Sequence, residues 1–306
     1  MLERHAVKIQ KEQLTESTSI HTNLAQPRPF VKWAGGKTQA LEWLDRYFPE
    51  SYRTYYEPFL GGGAAFFHLA QVRSRFKAVL SDANEELMIA YKVIRDHVEE
   101  LIDLLMNHET MYRLGPEGYY YKIRAEKPTS QVEIASRLIF LNKTCFNGLH
   151  RVNRKGAFNV PFGQYKNPKI CDKDNLRAVN RVLRSTNPEL LRVDYQESTK
   201  NAEARDFVYL DPPYQPVSST AGFTSYTNSG FTLEEQRRLG KWFRELSNRG
   251  CAVLLSNSDT KEVLEIYKGY YIQRIPALRA INCKGHQRKG HTELIISNRK
   301  EGRCFI

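Results

Sequence analysis

The chain has 306 residues, 41% of them hydrophobic, and a formal net charge of +12. That is enough for one large domain or two, and no apolar run approaches the ~20 residues of a membrane helix. The polar start (Met1 to Gln26) is unlike a secretory leader, and five scattered cysteines without a Cys-x-x-Cys pair argue against a disulfide frame or thiolate metal site and for a reduced, cytoplasmic protein. The basic surplus points to a polyanionic partner, most simply nucleic acid.

Residues 1–28 lack periodicity and mix Ser, Thr, Gln, Lys and Glu, so a flexible tail is expected up to residue 29. Order is expected from Pro29-Phe30-Val31-Lys32-Trp33-Ala34-Gly35-Gly36-Lys37, where two glycines permit a tight turn beside an aromatic ring and two cations. Such a loop suits an adenosyl ligand with a carboxylate; the plain alternative is a turn with solvated lysines. Leu41, Trp43, Leu44 and Phe48 predict the buried side of a short helix ending before Pro49. Tyr55 to Phe67 reads as strand, glycine-rich turn and apolar helix, a ligand loop in which missing Cβ atoms admit a ligand to the backbone. Phe66 stands where Gly-x-Gly-x-x-Gly requires its third glycine, which argues against an ordinary dinucleotide site. Ala78 to Asp82 reads as a second strand ending in an acid. Asp82 lies 19 residues after Gly63, the offset at which an acid takes a ribose hydroxyl. It equally suits a helix N-cap, with Glu85 three residues on.

Helical periodicity is expected over 84–106, followed by a Tyr-rich stretch (Tyr112, Tyr119, Tyr120, Tyr121) mostly too polar for the core and a helix over 133–141. From Arg137 to Lys169 there are seven Lys/Arg and no acid. Within that run, 149–160 predicts a β-hairpin turning at Arg154-Lys155-Gly156, with Gly156 at positive φ. A basic hairpin flanked by Phe146, Asn147, Phe162 and Tyr165 suits a DNA groove. Arg151 would pair with a guanine edge, Asn147 would contact a base, and Phe146 or Leu149 would wedge into the stack. The bland alternative is a solvated basic hairpin. A polar helix (Leu176 to Leu183) leads to a strand at 190–193 ending in Asp194 and Tyr195, which suit the edge of an adenine ring.

Phe207 to Leu210 is an apolar run read as a buried strand. Asp211-Pro212-Pro213-Tyr214 stops it, because the prolines forbid both continuation and an immediate helix. The motif therefore sits at the carboxyl end of a strand, where open α/β sheets bind ligands. A carboxylate, a fixed carbonyl and an aromatic face suit a flat base with an exocyclic amino group. Asp211 and the Pro212 carbonyl would take its two hydrogens, and Tyr214 would stack on the ring. The plain alternative is a strand-ending turn. Residues 215–231 predict a mobile loop closing over the substrate. A helix (Leu233 to Leu246), a strand (252–257), a second basic loop (274–291) and a closing strand (293–298) follow. The alternating order predicts a doubly wound α/β sheet.

Six motifs in this order resemble the Dam-type (D12 class) DNA adenine methyltransferases: Lys-Trp-Ala-Gly-Gly-Lys (32–37), Glu-Pro-Phe-Leu-Gly-Gly-Gly (57–63), Asp82, Phe-Asn-Gly-Leu-His-Arg (146–151), Phe-Asn-Val-Pro-Phe-Gly (158–163) and Asp-Pro-Pro-Tyr (211–214). The resemblance runs from about Phe30 to Asn298. It implies a Rossmann-like S-adenosylmethionine-binding sheet with helices on both faces, over 30–95 and 190–306. It also implies an inserted, mainly helical target-recognition domain carrying the hairpin, over 96–189. The implied cofactor is S-adenosylmethionine, without a metal, and the implied reaction is methyl transfer to the 6-amino group of adenine in double-stranded DNA after base flipping.

Carried over by position, Trp33, Lys37, Phe59, Gly61, Asp82, Asp194, Tyr195 and Asp211 are cofactor contacts, and Asp211, Pro212 and Tyr214 form the catalytic motif. Members that methylate GATC are similar at Lys32, Asn147, Leu149, Arg151, Pro161 and Tyr165. Phe146 stands where some members have tyrosine, which keeps the wedge and loses a hydroxyl. A monomer without membrane association is expected, and a restriction endonuclease acting separately is a compatible partner. Three other readings stay open: transfer to the 4-amino group of cytosine, an RNA-directed enzyme, and a DNA-binding protein with an inactive cofactor site.

Overall fold

The computed structural model describes residues 25–73, 76–214, 231–276 and 292–301. The expected tail over residues 1–24, the loop at 215–230 and most of the second basic loop (277–291) lie outside them. Seven strands form one sheet: β1 (Thr54–Glu57), β2 (Lys77–Ser81), β3 (Glu189–Leu191), β4 (Phe207–Leu210), β5 (Ala252–Ser258), β6 (Tyr271–Pro276) and β7 (Thr292–Ser297). Their spatial order is β3-β2-β1-β4-β5-β7-β6. Strands β3 to β5 run parallel, and β7 is antiparallel to both its neighbours.

Helices connect these strands: α1 (Leu41–Asp45), α2 (Ala64–Val72), α3 (Glu85–Asp96), α4 (Val98–Leu114), α5 (Pro116–Ala125), α6 (Gln131–Thr144), α7 (Lys173–Thr186), α8 (Tyr195–Ser198), α9 (Leu233–Asn248) and α10 (Lys261–Ile266). Strands β4 and β5 are buried at every residue, as a sheet covered on both faces requires. The two-residue period divides the strands between two cores. Tyr55, Phe207, Tyr209, Leu254 and Ile295 pack under α2, α3 and α7, while Tyr56, Val208, Leu210, Val253 and Ile296 pack under α9 and α10.

Helices α4 to α6 are inserted between β2 and β3. Their apolar residues, among them Leu101, Leu105, Phe140 and Leu141, join the first of those cores. The expected helical stretch over 84–106 is broken at His97, whose φ of −136° and ψ of 39° end α3 and redirect the chain into α4. The Tyr-rich stretch is a correction. Tyr112 and Tyr120 are core residues, because their hydroxyls donate to the carbonyls of Tyr165 (2.7 Å) and Val160 (2.8 Å). A tyrosine whose hydroxyl is satisfied buries like phenylalanine. Tyr121 does stay exposed, and Tyr119 is half-buried on His108.

The end of the expected tail is also anchored. The Arg28 amide donates to Asn175 Oδ1 at 3.0 Å, and Asn175 Nδ2 donates back to the Arg28 carbonyl at 3.0 Å. The expected hairpin is reduced to one antiparallel bridge, Val152 to Phe158, beside a turn in which Gly156 has φ 76°. Asn153 Oδ1 accepts the amides of Lys155 (2.9 Å) and Ala157 (3.1 Å) there, so a side chain organises the turn in place of a longer ladder. No described helix is long and apolar enough to cross a membrane.

Candidate active site

The strand order reverses between β1 and β4, which opens a crevice at the carboxyl edge of the sheet. The glycine turn follows β1, Asp82 follows β2, Asp194 lies beyond β3 and Asp211 follows β4, so the topology alone brings four sequence-predicted stretches to one edge.

At the β1–β2 corner, Gly61 and Gly63 have φ of 50° and 71°. A Cβ on Gly61 would come within 2.8 Å of Trp33 Cδ1, so only glycine lets the indole close on this turn. Asp82 clamps two loops: its Oδ2 accepts the Gly61 amide and its Oδ1 the Asn84 amide, each at 2.9 Å. Asp82 is therefore not the N-cap of α3. Asn84 is, accepting the Leu87 amide at 2.9 Å. Burial holds the Asp82 carboxyl above its ordinary range, against the pull of those amides. The Trp33 ring lies 5.3 Å from that of His150, which belongs to the basic segment.

On the β3 side, Phe59 and Tyr195 face each other at 5.3 Å and 30°, with Phe231 edge-on to Phe59 at 6.0 Å. Asp194 caps α8, accepting the Gln196 amide at 2.9 Å, and meets the Arg238 guanidinium at 3.3 Å. That guanidinium also lies 5.2 Å from the Tyr195 ring. The sequence suggested a strand running into Asp194 and Tyr195; the strand stops at Leu191, and the pair opens a short helix instead.

Beyond β4, Lys37 is only 4% exposed, and its Nζ lies 2.8 Å from Asp211 Oδ1. The same Nζ donates to the Gly35 carbonyl and sits 4.7 Å from the centre of the Tyr214 ring. Burial, with a smaller push from Glu293, raises the Asp211 carboxyl to about 6 against the downward pull of Lys37. The Tyr214 hydroxyl donates to Glu293 Oε2 at 2.9 Å. Glu57, at the end of β1, is 3% exposed and accepts the Tyr55 hydroxyl at 2.8 Å. Burial pushes Glu57 up to about 8, with Asp211 and Asp82 adding to the rise. The floor of the crevice is thus a group of carboxyls around one buried lysine.

Glu293 and Glu57 went unassigned from sequence. Glu57 had a signal, an acid ending a strand beside the glycine turn. Glu293 had none nearby, since it is 79 residues from its partner Tyr214.

Next to the crevice lies the basic segment. Phe146 (42% exposed), Pro161 and Tyr165 face solvent, and Asn147 turns the chain with φ 56°. The Phe146 amide donates to the Pro161 carbonyl at 2.9 Å, which joins the two halves of the segment. Lys32 is exposed at its tip and packs its stem on Gly148, where a Cβ would meet Lys32 Cδ at 2.8 Å. Buried Asn142 ties these parts together. It accepts the Lys32 amide (2.8 Å) and donates to the carbonyls of Lys32 (2.8 Å) and Gly148 (3.1 Å). Leu149 is half-buried against the core, so of the two apolar side chains Phe146 is the exposed one. Arg151 spends two donors on Asn159, Nε to Oδ1 at 2.7 Å and Nη2 to the carbonyl at 3.1 Å.

The family model for D12 class N6 adenine-specific DNA methyltransferases matches residues 33–281. The chain is 43% identical over 287 residues to the type II methyltransferase M.MjaIII of Methanocaldococcus jannaschii, covering 89% of this chain and 99% of that protein. It is 41% identical over 285 residues to the type II methyltransferase M1.LlaDCHI of Lactococcus lactis subsp. cremoris (91% and 98% covered). It is 34% identical over 273 residues to the DNA adenine methylase of Escherichia coli K12 (88% and 94% covered). The chain belongs to the D12 class of N6 adenine-specific DNA methyltransferases. As an adenine-specific DNA methyltransferase it must hold an amino group and a methyl donor together, and the crevice gathers acceptors, aromatic faces and a glycine turn at one sheet edge.

Proposed function

We propose that this methyltransferase transfers a methyl group from S-adenosylmethionine to the 6-amino group of adenine in duplex DNA, within GATC, by flipping the base and direct in-line transfer. The observation that carries this reading is the pairing of buried Lys37 with Asp211 beside the Tyr214 ring at the switch point of the sheet. The crevice fits the donor. Phe59 and Tyr195 offer an aromatic pair for the edge of an adenine, and Asp82, whose oxygens already accept the Gly61 and Asn84 amides, would also take a ribose hydroxyl. Trp33, closed on the glycine turn, and Lys37, paired with Asp211, would be further donor contacts, with Asp194 toward the adenine. When bound, S-adenosylmethionine supplies the methyl group on a positively charged sulfur.

The chain's own residues activate the amine. Its nitrogen is a poor nucleophile, because the lone pair is delocalised into the ring. Asp211 and the Pro212 carbonyl accept its two hydrogens and draw the lone pair back onto nitrogen. Tyr214 stacks on the base and fixes its plane. With its proton affinity raised, Asp211 is suited to receive the proton that the nitrogen sheds.

The catalytic part spans 30–95 and 190–306, and 96–189 is the target-recognition part. Lys32, Asn147, Leu149, Arg151, Pro161 and Tyr165 contact the site, and Phe146 fills the gap left by the flipped base. Arg151 reads with the donors that Asn159 leaves over.

The test is incubation with labelled S-adenosylmethionine and unmethylated plasmid DNA, read by nucleoside analysis and by protection from nucleases that cut GATC. Label on 6-methyladenine with GATC protection is the expected result. Label on 4-methylcytosine, or on RNA in preference to DNA, would overturn the reaction. Label on adenine without GATC protection would overturn the site alone.

A further inference from the structure

We infer that Glu293 is a positioning residue for methyl transfer: its carboxylate holds the Tyr214 hydroxyl and thereby fixes the aromatic plane on which the target base stacks. This rests on the reading of Tyr214 given above. Strand β7 is antiparallel, so its first residues, not its last, share the edge where β4 and β5 end; Glu293 pairs with Ser258, the last residue of β5. From that place it accepts the Tyr214 hydroxyl at 2.9 Å. On the other side of the ring network, Lys37 Nζ lies 4.7 Å from the Tyr214 centroid and 2.8 Å from Asp211 Oδ1.

The two prolines before Tyr214 fix φ at 212 and 213 but leave the tyrosine side chain free to rotate. Without a partner for its hydroxyl, the ring would sample several rotamers. A stacking partner in the wrong plane costs transfer more than binding, because orientation matters most as the nitrogen approaches the methyl carbon. The phenol is well suited to donate. Burial raises its pKa far above the ordinary tyrosine range, and Asp211 and Glu293 add to this, so it keeps its proton.

The experiment is single-turnover methylation of unmethylated plasmid DNA, with enzyme in excess, by the full chain and five variants: Glu293→Ala, Glu293→Gln, Tyr214→Phe, the Glu293→Ala/Tyr214→Phe pair, and Tyr214→Ala. Glu293→Ala and Tyr214→Phe should each slow transfer by roughly tenfold, a modest share of what a misplaced group can cost. DNA affinity should stay within about twofold, and the double variant should be no slower than either single one. Glu293→Gln keeps an acceptor oxygen and should retain the rate within about threefold. Wild-type transfer by Glu293→Ala, or a double variant slowed by the product of the two single effects, would overturn the inference. If Tyr214→Ala transfers at the wild-type rate, the stacking role itself falls. If Tyr214→Ala is inactive while Glu293→Ala is unaffected, only the role of Glu293 falls. Urea unfolding midpoints of each variant separate lost positioning from lost fold.

Discussion

At the carboxyl edge of the sheet the titratable groups are themselves buried or half-buried and bonded to protein partners. Along 146–165 the charged groups face solvent, and neutral side chains beneath them are buried and bonded. Lys37, Asp211 and Glu57 illustrate the first arrangement; Asn142, Tyr112 and Tyr120, under Phe146, Arg151 and Tyr165, illustrate the second. The contrast separates two kinds of consequence. On the proposed assignment, a change at the edge alters electrostatics felt by the reacting atoms. A change on the segment then alters either what DNA meets or what holds the segment in shape, seldom both.

Lys37 tests the first half most severely. Burial raises Asp211 to about 6 even with Lys37 pulling it down. Transfer that needs the carboxylate is therefore present above about pH 6 and lost as pH falls through it. Lys37→Met removes the lowering charge, so the acid limb should move upward by about 1–3 pH units, and transfer at pH 7 should fall by roughly tenfold or more. A pH profile of single-turnover rates reads this directly. A limb that stays where it was would break the electrostatic side of the comparison.

Asn142 tests the scaffold of the second half. Asn142→Ala strands the Lys32 amide and two carbonyls and should cost about 2–4 kcal/mol in urea unfolding. Arg151→Ala sits above that scaffold. It should leave stability within about 0.5 kcal/mol and lower discrimination between the preferred duplex and single-base variants by about 1–3 kcal/mol. If Arg151→Ala unfolds the protein with its methylation spectrum unchanged, the two roles are exchanged. The smallest effect is that of Tyr120→Phe, which should cost about 1 kcal/mol with sequence preference intact, since the hydroxyl serves only the Val160 carbonyl.

The same contrast governs what was legible in the sequence. Asp211-Pro212-Pro213-Tyr214 could be read because an apolar run stopped by prolines marks a strand end. The glycine turn could be read because consecutive glycines between a strand and an apolar helix mark a turn without Cβ atoms; that Trp33 occupies the space at Gly61 could not. The strand–helix alternation foretold the doubly wound sheet, and Gly156 foretold its turn. Other features escaped. Tyr112 and Tyr120 looked too polar because their carbonyl partners lie 53 and 40 residues away. The alternative reading of Asp82 as a cap fails because Asn84, two residues on, takes that role. The break at His97 left the apolar period of the stretch intact, so no periodicity reported it. Long-range hydrogen bonds and antiparallel return strands leave no local pattern, and both Asn142 and Glu293 depend on one or the other.

The most direct test of the division of labour is Asp211→Ala, measured for single-turnover methyl transfer and for DNA affinity on the same preparation. Transfer should fall below detection while DNA affinity stays within about twofold, because the variant removes an acceptor from the edge and touches nothing on the 146–165 surface. Transfer near the wild-type rate, or a loss of DNA binding as large as the loss of transfer, would contradict it.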